Sequence, residues 1–287
     1  MDDTTENNGK GRATIEIKDL EFGYNPNNPV LKNISHIFDT PEFICIMGPN
    51  GVGKSTLIHC INKILKPTRG AVLINGRDTK EMKLKEVANE IGYVPASSED
   101  SFPLTVVDTV MVGMQNDYKF GVRKDDLDKV YDILKLLRID HLAMRDFNEL
   151  SAGQHQKMSI AKGLAQTPRV LILDEPTSNL DVRHQLQVTE RLRDIAKENG
   201  MTVIMVSHDL NTSAKYADLI VMMAPPGVIH RVGTPEEVLT AQSISEIYGV
   251  ECSVVDSNGR PHVILERALD DDEIRARGAG IRERTDA

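Results

Sequence analysis

The stretch GPNGVGKST, residues 48–56, has the spacing G-x-x-x-x-G-K-[ST] of a loop that binds phosphate. Glycines allow such a loop to curl so that successive N–H groups point at phosphate oxygens, and the helix that follows adds its positive N-terminal end. In this arrangement Lys54 reaches the β- and γ-phosphates of a nucleotide, and the Ser55 hydroxyl binds Mg²⁺. The residues predicted to contact the nucleotide are Gly48, Pro49, Asn50, Gly51, Val52, Gly53, Lys54, Ser55 and Thr56.

The residues on either side of this loop have the strand and helix patterns that the motif requires. Residues 42–47, EFICIM, form a short apolar run that predicts a buried strand leading into the loop. Residues 54–66 have apolar side chains at helical spacing, which predicts a helix leaving it. The apolar positions of this helix are Leu57, Ile58, Ile61, Ile64 and Leu65.

Further apolar strands alternate with helices along the chain, which predicts an α/β fold. The expected strands are 14–22, 70–76, 91–94, 169–175, 201–209 and 217–225, and a charged helix is expected at Val182–Asn199. Because several strands are apolar almost throughout, we expect a parallel sheet covered on both faces. Residues from about 100 to 165 have a helical pattern, and we expect them to form an insertion packed beside this sheet.

The two ends of the chain differ from this central region. Residues 1–12 are polar and are expected to be a disordered leader, whereas residues 251–287 are expected to form a short β-like appendage with a charged tail. The leader has no apolar segment typical of a secretory signal, and no stretch reaches the roughly 18 apolar residues needed to cross a bilayer. We therefore expect a soluble intracellular protein whose membrane role, if it has one, requires a partner.

The composition argues against several classes of protein. A chain of 287 residues with 40% hydrophobic content is long enough for one or two domains with a real core. A net charge of −9, no basic clusters and the absence of Trp all disfavour nucleic-acid binding. The three cysteines, Cys45, Cys60 and Cys252, lie far apart, so we expect buried reduced thiols rather than disulfides or a zinc site.

Two carboxylates, Asp174 and Glu175, follow the apolar residues 170–173. In a parallel sheet such strands end on the side where the ligand binds. Asp174 can hold Mg²⁺ through water, and Glu175 is placed to act as a general base on an attacking water. The strand end therefore predicts hydrolysis of the bound nucleotide.

A third motif, LSAGQ at residues 150–154, precedes the acidic strand, and taken alone it indicates only a helix that begins at a Ser cap. Together with the two motifs above it makes the chain resemble the ATP-binding cassette subunits of ABC transporters, over about residues 13–250. The D-loop of that family matches residues 178–181, which end in Asp181. Its switch histidine matches His208 in VIMVSHDL, and the aromatic residue that stacks on adenine matches Tyr24 in LEFGYNPN.

This resemblance implies a fold, a cofactor set and partners. The fold is a P-loop NTPase (RecA-like) core with an N-terminal antiparallel β subdomain and an inserted helical subdomain. ATP and Mg²⁺ are bound between two cassettes in a head-to-tail homodimer, so that Ser151, Gly153 and Gln154 contact ATP held by the partner's phosphate loop. The dimer works with an integral membrane permease on the cytoplasmic face of the cell membrane, and indirectly with a substrate-binding protein.

The sequence departs from the family at Ala96, where members usually carry a Gln that contacts Mg²⁺ and the attacking water. An alanine methyl group does neither. Three explanations stay open. Ser97, Ser98 or Glu99 takes over the role, or hydrolysis persists on Glu175 and His208 with looser coupling, or the residue was altered for study.

The layout resembles the importer ATPases for iron-siderophores, haem and cobalamin, in which a single cassette ends in a stretch similar to residues 246–264. The alternative is a soluble cassette that transports nothing, such as an ATPase of iron–sulfur cluster assembly. A binding module without catalysis is disfavoured because Glu175 and His208 are both present.

Overall fold

The computed structural model describes residues 13–25, 28–40, 42–96, 104–114, 123–178, 180–270 and 272–274. Its strands are β1 (Ile15–Phe22), β2 (Leu31–Phe38), β3 (Phe43–Met47), β4 (Arg69–Ile74), β5 (Arg77–Asp78), β6 (Ile91–Val94), β7 (Val170–Asp174), β8 (Thr202–Val206), β9 (Leu219–Ala224), β10 (Val228–Gly233), β11 (Val250–Ser257) and β12 (Arg260–Ala268). Its helices are α1 (Lys54–Ile61), α2 (Leu84–Glu90), α3 (Val106–Gly113), α4 (Lys124–Leu136), α5 (Ala152–Leu164), α6 (Val182–Asn199), α7 (Leu210–Tyr216), α8 (Pro235–Val238) and α9 (Ala241–Tyr248).

A six-stranded sheet in the order β10-β9-β3-β8-β7-β6 lies at the centre of the fold. All its neighbouring strands are parallel except β10, which is antiparallel to β9. Alternate residues of β3 belong to different cores: Phe43 and Cys45 pack on one side of the sheet, and Ile44 and Ile46 on the other. Burial on both faces explains the continuous apolar runs in the sequence, and the predicted α/β class is confirmed.

A second sheet of four antiparallel strands, in the order β2-β1-β4-β5, shares one of these cores with α1. On the opposite face, the other core contains buried residues of α4, α5 and α6. The central sheet is therefore covered on both sides. This arrangement leaves the carboxyl ends of β3, β7 and β8 at one edge, where the predicted site residues follow.

The region from about 100 to 165 contributes α3, α4 and α5, with residues 97–103 and 115–122 outside the described part. Helix α5 packs very closely on β6 through two glycines. A Cβ at Gly92 would lie 2.4 Å from the carbonyl oxygen of Gly163, and a Cβ at Gly163 would lie 2.9 Å from Val94 Cγ2. These glycines set the position of the helix that begins at the LSAGQ motif.

The predicted extent of the helix after the phosphate loop is wrong. Helix α1 ends at Ile61, and Ile64 is half exposed. The chain turns at Lys63, which adopts a left-handed conformation with φ 58°. The Lys63 ammonium donates to the carbonyl groups of Thr79 and Met82, so a contact distant in sequence ends the helix earlier than its apolar pattern indicates.

The C-terminal segment forms the antiparallel hairpin β11–β12. Its residue Val263 is buried in the core that also contains residues of α4, α5 and α6. Residues 1–12 and 275–287 lie outside the described part, as do the expectations made for them. The three cysteines all lie in the described part of the chain and none forms a disulfide, and Cys252 is only partly buried. Among the described helices, none combines the length and apolar character that a membrane span needs.

Candidate active site

The phosphate loop connects the buried end of β3 to the first turn of α1. Gly53 is the N-cap of α1 with φ 102°, and a Cβ there would lie 2.7 Å from Leu31 Cδ2. Gly48 has φ 148°, and a Cβ there would lie 2.5 Å from the carbonyl oxygen of Met223 in β9. Only glycine satisfies both the conformation and the space at these two positions. The loop is thus held against β9 and the start of β2, and the N–H groups of the first turn of α1 have no acceptor within the helix itself.

Lys54 is buried, and its ammonium group is directed at its own loop. It donates 2.9 Å hydrogen bonds to the carbonyl oxygens of Gly48 and Pro49. Burial lowers the pKa of Lys54, and the nearby charges of Glu175 and Asp174 oppose this shift. A phosphate group entering the loop would offer this lysine a charged acceptor in place of two neutral ones.

Ser55 and Asp174 meet across the gap between α1 and β7. The Ser55 hydroxyl donates a 3.0 Å hydrogen bond to Asp174 Oδ1. Burial raises the pKa of Asp174, whereas the Ser55 hydrogen bond and the positive charges of His59 and Lys54 lower it. A hydroxyl and a carboxylate at this distance, next to a loop suited to phosphates, fit the hard oxygen ligands that Mg²⁺ requires.

Glu175 immediately follows β7 in an unfavourable backbone conformation. Its φ is 45°, in the left-handed region that a non-glycine residue rarely adopts. The N–H and hydroxyl of Ser178 both donate to the Glu175 carbonyl oxygen, at 3.2 and 3.1 Å, and stabilise the turn. Strain of this kind persists where surrounding contacts hold it, and it is concentrated at functional sites.

His208 follows the end of β8 and lies beside Glu175. Its Nδ1 is 3.9 Å from Glu175 Oε2. The neighbouring Ser207 donates from its backbone N–H to the carbonyl oxygen of Ile46 at 3.1 Å, which ties the end of β8 to the end of β3. The structure therefore brings together five residues that the sequence placed on three separate segments. They are Lys54, Ser55, Asp174, Glu175 and His208.

Tyr24 lies at the end of β1 with 70% of its surface exposed. Its only described ring contact is with Phe22, edge to face at 5.0 Å. Val30 lies beside the phosphate loop, because a Cβ at Gly53 would lie 3.2 Å from Val30 Cγ1. The exposed ring of Tyr24 is available for stacking on a planar ligand.

The LSAGQ motif forms the start of α5, with Ser151 as its N-cap. Gln154 Oε1 accepts a 2.9 Å hydrogen bond from the Ser151 backbone N–H, so in this structure the Gln154 side chain caps its own helix. Gly153 is buried against the ring of His184 in α6. Within the described part of the chain, no hydrogen bond or ion pair joins these residues to the phosphate loop.

Asp181 is the N-cap of α6 and is exposed. Its carboxylate accepts hydrogen bonds from the backbone N–H and from Nδ1 of His184, and these bonds lower the pKa of Asp181. Of its D-loop neighbours, Asn179 lies outside the described residues. Asp181 thus lies with the start of α5 and the start of α6, because the ring of His184 contacts both Asp181 and Gly153.

A pair of residues behind Asp174 was not predicted from the sequence. His59 Nε2 lies 2.9 Å from the Tyr93 hydroxyl, which joins α1 to β6. Burial, followed by the charge of Asp174, raises the pKa of Tyr93 to about 12. His59 is one helical turn after Ser55, and that spacing was the available signal.

Ala96 ends the described part of the segment after β6 and is exposed. Ser97, Ser98 and Glu99, the neighbours considered as its substitutes, lie outside the described residues. The three explanations for this position therefore stay as predictions.

Comparisons with known proteins identify one family to which this chain is similar. A family model described as ABC transporter matches residues 31–178. An uncharacterized ABC transporter ATP-binding protein of Methanocaldococcus jannaschii is 40% identical over 87% of this chain and 97% of its own length. The ferric enterobactin transport ATP-binding protein of Escherichia coli is 34% identical, over 88% of this chain and 94% of its own length. The petrobactin import ATP-binding protein of Bacillus anthracis is 33% identical, over 83% and 88%.

Solved structures show the same fold. An inward-facing putative metal-chelate type ABC transporter has a chain that superposes with a TM-score of 0.75 at 24% identity, over 91% of this chain and 99% of that one. A dimeric bacterial ABC transporter cassette superposes with a TM-score of 0.67 at 28% identity, over 77% of this chain and 98% of that one. With the family model and these relatives, the chain belongs to the ABC transporter family, as one of its ATP-binding, ATP-hydrolysing cassettes.

Proposed function

We propose that this chain is the ATPase subunit of an importer for iron chelates of the siderophore type. The observation that carries the ATPase part is the meeting of Lys54, Ser55, Asp174, Glu175 and His208 at one sheet edge. The cargo class is supported by relatives named for ferric enterobactin transport and petrobactin import, each about a third identical over most of their length.

ATP binding begins at the phosphate loop. Lys54 exchanges its two carbonyl acceptors for phosphate oxygens, while the N–H groups of the loop and of the first turn of α1 bind the same anion. The exposed ring of Tyr24 stacks on the adenine. Ser55 and Asp174 would hold Mg²⁺, which would supply positive charge to the β- and γ-phosphates.

Glu175 acts as the general base. Its carboxylate takes a proton from the water that attacks the γ-phosphorus, so that ATP and water yield ADP and phosphate. His208, 3.9 Å from this carboxylate, contacts the γ-phosphate. The left-handed backbone at Glu175 directs its side chain from the end of β7 towards the loop, which explains why the strain is retained.

The LSAGQ motif at residues 150–154, the signature motif of this chain, acts on a second copy of the chain. The N-terminus of α5, with Ser151 and Gly153, makes no described contact with the phosphate loop of its own chain, so it is available to the ATP of a partner. We place Gln154 and Asp181 at the same interface. ATP bound between two copies closes the dimer and hydrolysis reopens it, a ligand-driven shift between two states.

The dimer sits on the cytoplasmic face of the membrane and is attached through an integral membrane permease. A substrate-binding protein delivers the cargo to that permease and does not touch the cassette. The described part of the helical block, residues from about 100 to 165, carries two strongly exposed apolar side chains. They are Val112 and Met144, at 61% and 75% exposure. We infer that the permease contacts this region of the cassette.

The test uses tagged Glu175→Gln protein, which binds ATP without hydrolysing it. Expressed in its native host, extracted with detergent and purified with Mg²⁺-ATP, it should bring down a polytopic membrane protein encoded beside a substrate-binding lipoprotein. Wild-type protein prepared with ADP is the matched control. Purification with a soluble scaffold and no membrane protein would overturn the transport function and favour an assembly ATPase. Membranes loaded with the wild-type complex should also take up a ferric siderophore only with ATP.

A further inference from the structure

His184, in the first turn of α6, connects two segments that the sequence treats as separate motifs. Its backbone N–H donates to Asp181 Oδ1 at 2.9 Å, and its ring Nδ1 lies 2.9 Å from both carboxylate oxygens of Asp181. The carboxylate of the D-loop therefore has two independent connections to the same residue. The ring contact fixes the side-chain orientation of His184 as well as that of Asp181.

The other side of the ring faces α5, the signature helix, which begins at the LSAGQ motif. A Cβ added to Gly153 would lie 3.0 Å from His184 Cδ2, 3.4 Å from Cγ and 3.6 Å from Nε2. The ring thus lies directly against the Cα of Gly153, so close that a Cβ at this position would require the ring to move by a few tenths of an ångström. Gly153 is the second residue of α5, so the imidazole is held between the D-loop carboxylate and the N-terminus of the signature helix.

We propose that His184 is a positioning residue that holds the D-loop and the signature helix of one chain in a fixed relation, so that both meet the partner's ATP together. The inference rests on the proposed head-to-tail dimer. A shift of Asp181 or of Gly153 alone would break or strain a contact with the ring, because the same ring contacts both. The Asp181 side chain is 66% exposed and that of His184 is 43% exposed, so the pair lies where a second copy can approach it.

A simple capping role for His184 makes a different prediction. The cap of α6 is the bond from the His184 backbone N–H to Asp181, and that bond remains whatever side chain occupies position 184. If capping were the whole role, removing the imidazole would change neither the helix nor the dimer. If the ring positions the two segments, removing it leaves the monomer intact and weakens the ATP-bound dimer.

The experiment measures ATP-dependent dimerisation by sedimentation in the Glu175→Gln background, in which hydrolysis does not interfere. The substitutions are His184→Ala, His184→Asn, which keeps an amide donor near the Nδ1 position, and His184→Phe, which keeps a ring against Gly153. The matched control is His141→Ala, at an exposed histidine in the helical block. Melting temperature and the Kd of each monomer for fluorescent ATP are recorded as well, because the proposal requires both to stay at the parent values.

We expect His184→Ala to raise the dimer dissociation constant about tenfold, which is 1.4 kcal/mol, with His141→Ala within about twofold of the parent. His184→Asn and His184→Phe each retain one of the two contacts and should give smaller increases. Because His184 acts through Asp181 and Gly153, adding Asp181→Ala to His184→Ala should weaken the dimer less than the sum of the two single effects.

If the dimer dissociation constant of His184→Ala stays within about twofold of that of the Glu175→Gln parent, the inference is overturned. A weaker dimer that is matched by weaker ATP binding to the monomer would also overturn it, since the defect would then lie in the nucleotide site. Failure of the parent Glu175→Gln protein to dimerise with ATP would be a different result, because it overturns the head-to-tail dimer and every role assigned at its interface.

Discussion

Because the backbone at Glu175 is strained, we expect Glu175→Gly to raise the stability of the protein and to lower its ATPase activity. A non-glycine residue in the left-handed region costs about 1–2 kcal/mol, and glycine at the same place avoids this cost. Glycine also makes the unfolded chain more flexible, which removes about 0.4–1 kcal/mol of that gain. With φ at 45°, Glu175→Gly should therefore raise the free energy of unfolding by about 0.5–1 kcal/mol, or the melting temperature by about 1–3 °C.

The same substitution should nearly abolish ATP hydrolysis. Loss of a positioned general base lowers kcat by about 10²–10⁴, so turnover with Mg²⁺-ATP should fall by this factor. Glu175→Gln should lose activity to the same degree with its melting temperature unchanged, because glutamine has the same backbone preferences as glutamate. Calorimetry of the nucleotide-free protein and a phosphate-release assay give the two quantities.

Arg138 supplies the matched control. It has φ 57°, follows α4 and is exposed, so Arg138→Gly should raise the melting temperature by a similar amount with kcat unchanged. If Arg138→Gly stabilises the protein and Glu175→Gly does not, Glu175 carries no strain and the argument for a stored functional conformation fails. If Glu175→Gly keeps more than about a tenth of wild-type turnover, Glu175 is not the general base.

Four further predictions concern the same edge of the sheet and the helical block. Ser55→Ala should weaken ATP affinity about tenfold in the presence of Mg²⁺ and leave it unchanged in the presence of a chelator, as measured by titration calorimetry. Equal losses of affinity in the two conditions would show that Ser55 does not bind the metal. Because burial raises the pKa of Asp174 in the folded state, that state holds a proton more readily than the unfolded chain, and stability falls as pH rises from about 4 through the folded pKa. Nucleotide-free Asp174→Asn should therefore melt higher than wild type at pH 7, and the difference should shrink in acid; a constant difference would contradict the shift. Gly92→Ala should cost about 1–3 kcal/mol in urea unfolding because its Cβ would lie 2.4 Å from the Gly163 carbonyl oxygen, and wild-type stability would show that the contact relaxes freely. Ala96→Gln, at an exposed position, should raise Mg²⁺-ATP turnover without changing the melting temperature, whereas unchanged turnover would favour a substitute among the following residues.

Much of the fold follows from local sequence. The charged helix expected at Val182–Asn199 has those bounds in the structure, since Asp181 caps its start and Gly200 its end. The strand expected at 169–175 is Val170–Asp174 in the structure, whereas the strand expected at 201–209 ends three residues early, at Val206. The strand β2 was missed because its interior alternates unevenly between buried and exposed residues, and its place is set by pairing with β1.

The sequence by itself determined the phosphate loop, the acidic strand end and the signature motif. The phosphate loop and the acidic strand end are contiguous stretches whose chemistry depends on neighbouring residues, so their spacing reveals it. The LSAGQ motif alone indicates only the start of a helix, and its role follows from the resemblance to the family. The order of strands and helices also follows from local hydrophobic pattern, because burial on one or both faces requires a period that can be counted along the chain.

Only the tertiary structure decided how these pieces meet. The early end of α1 at Ile61 depends on Lys63 reaching carbonyl groups near residue 80, and the pair His59–Tyr93 depends on α1 lying beside β6. The ring of His184 against Gly153 joins residues 31 positions apart in the sequence. Such contacts arise when separate elements pack into one core, and no local pattern encodes the distance between side chains that are remote along the chain.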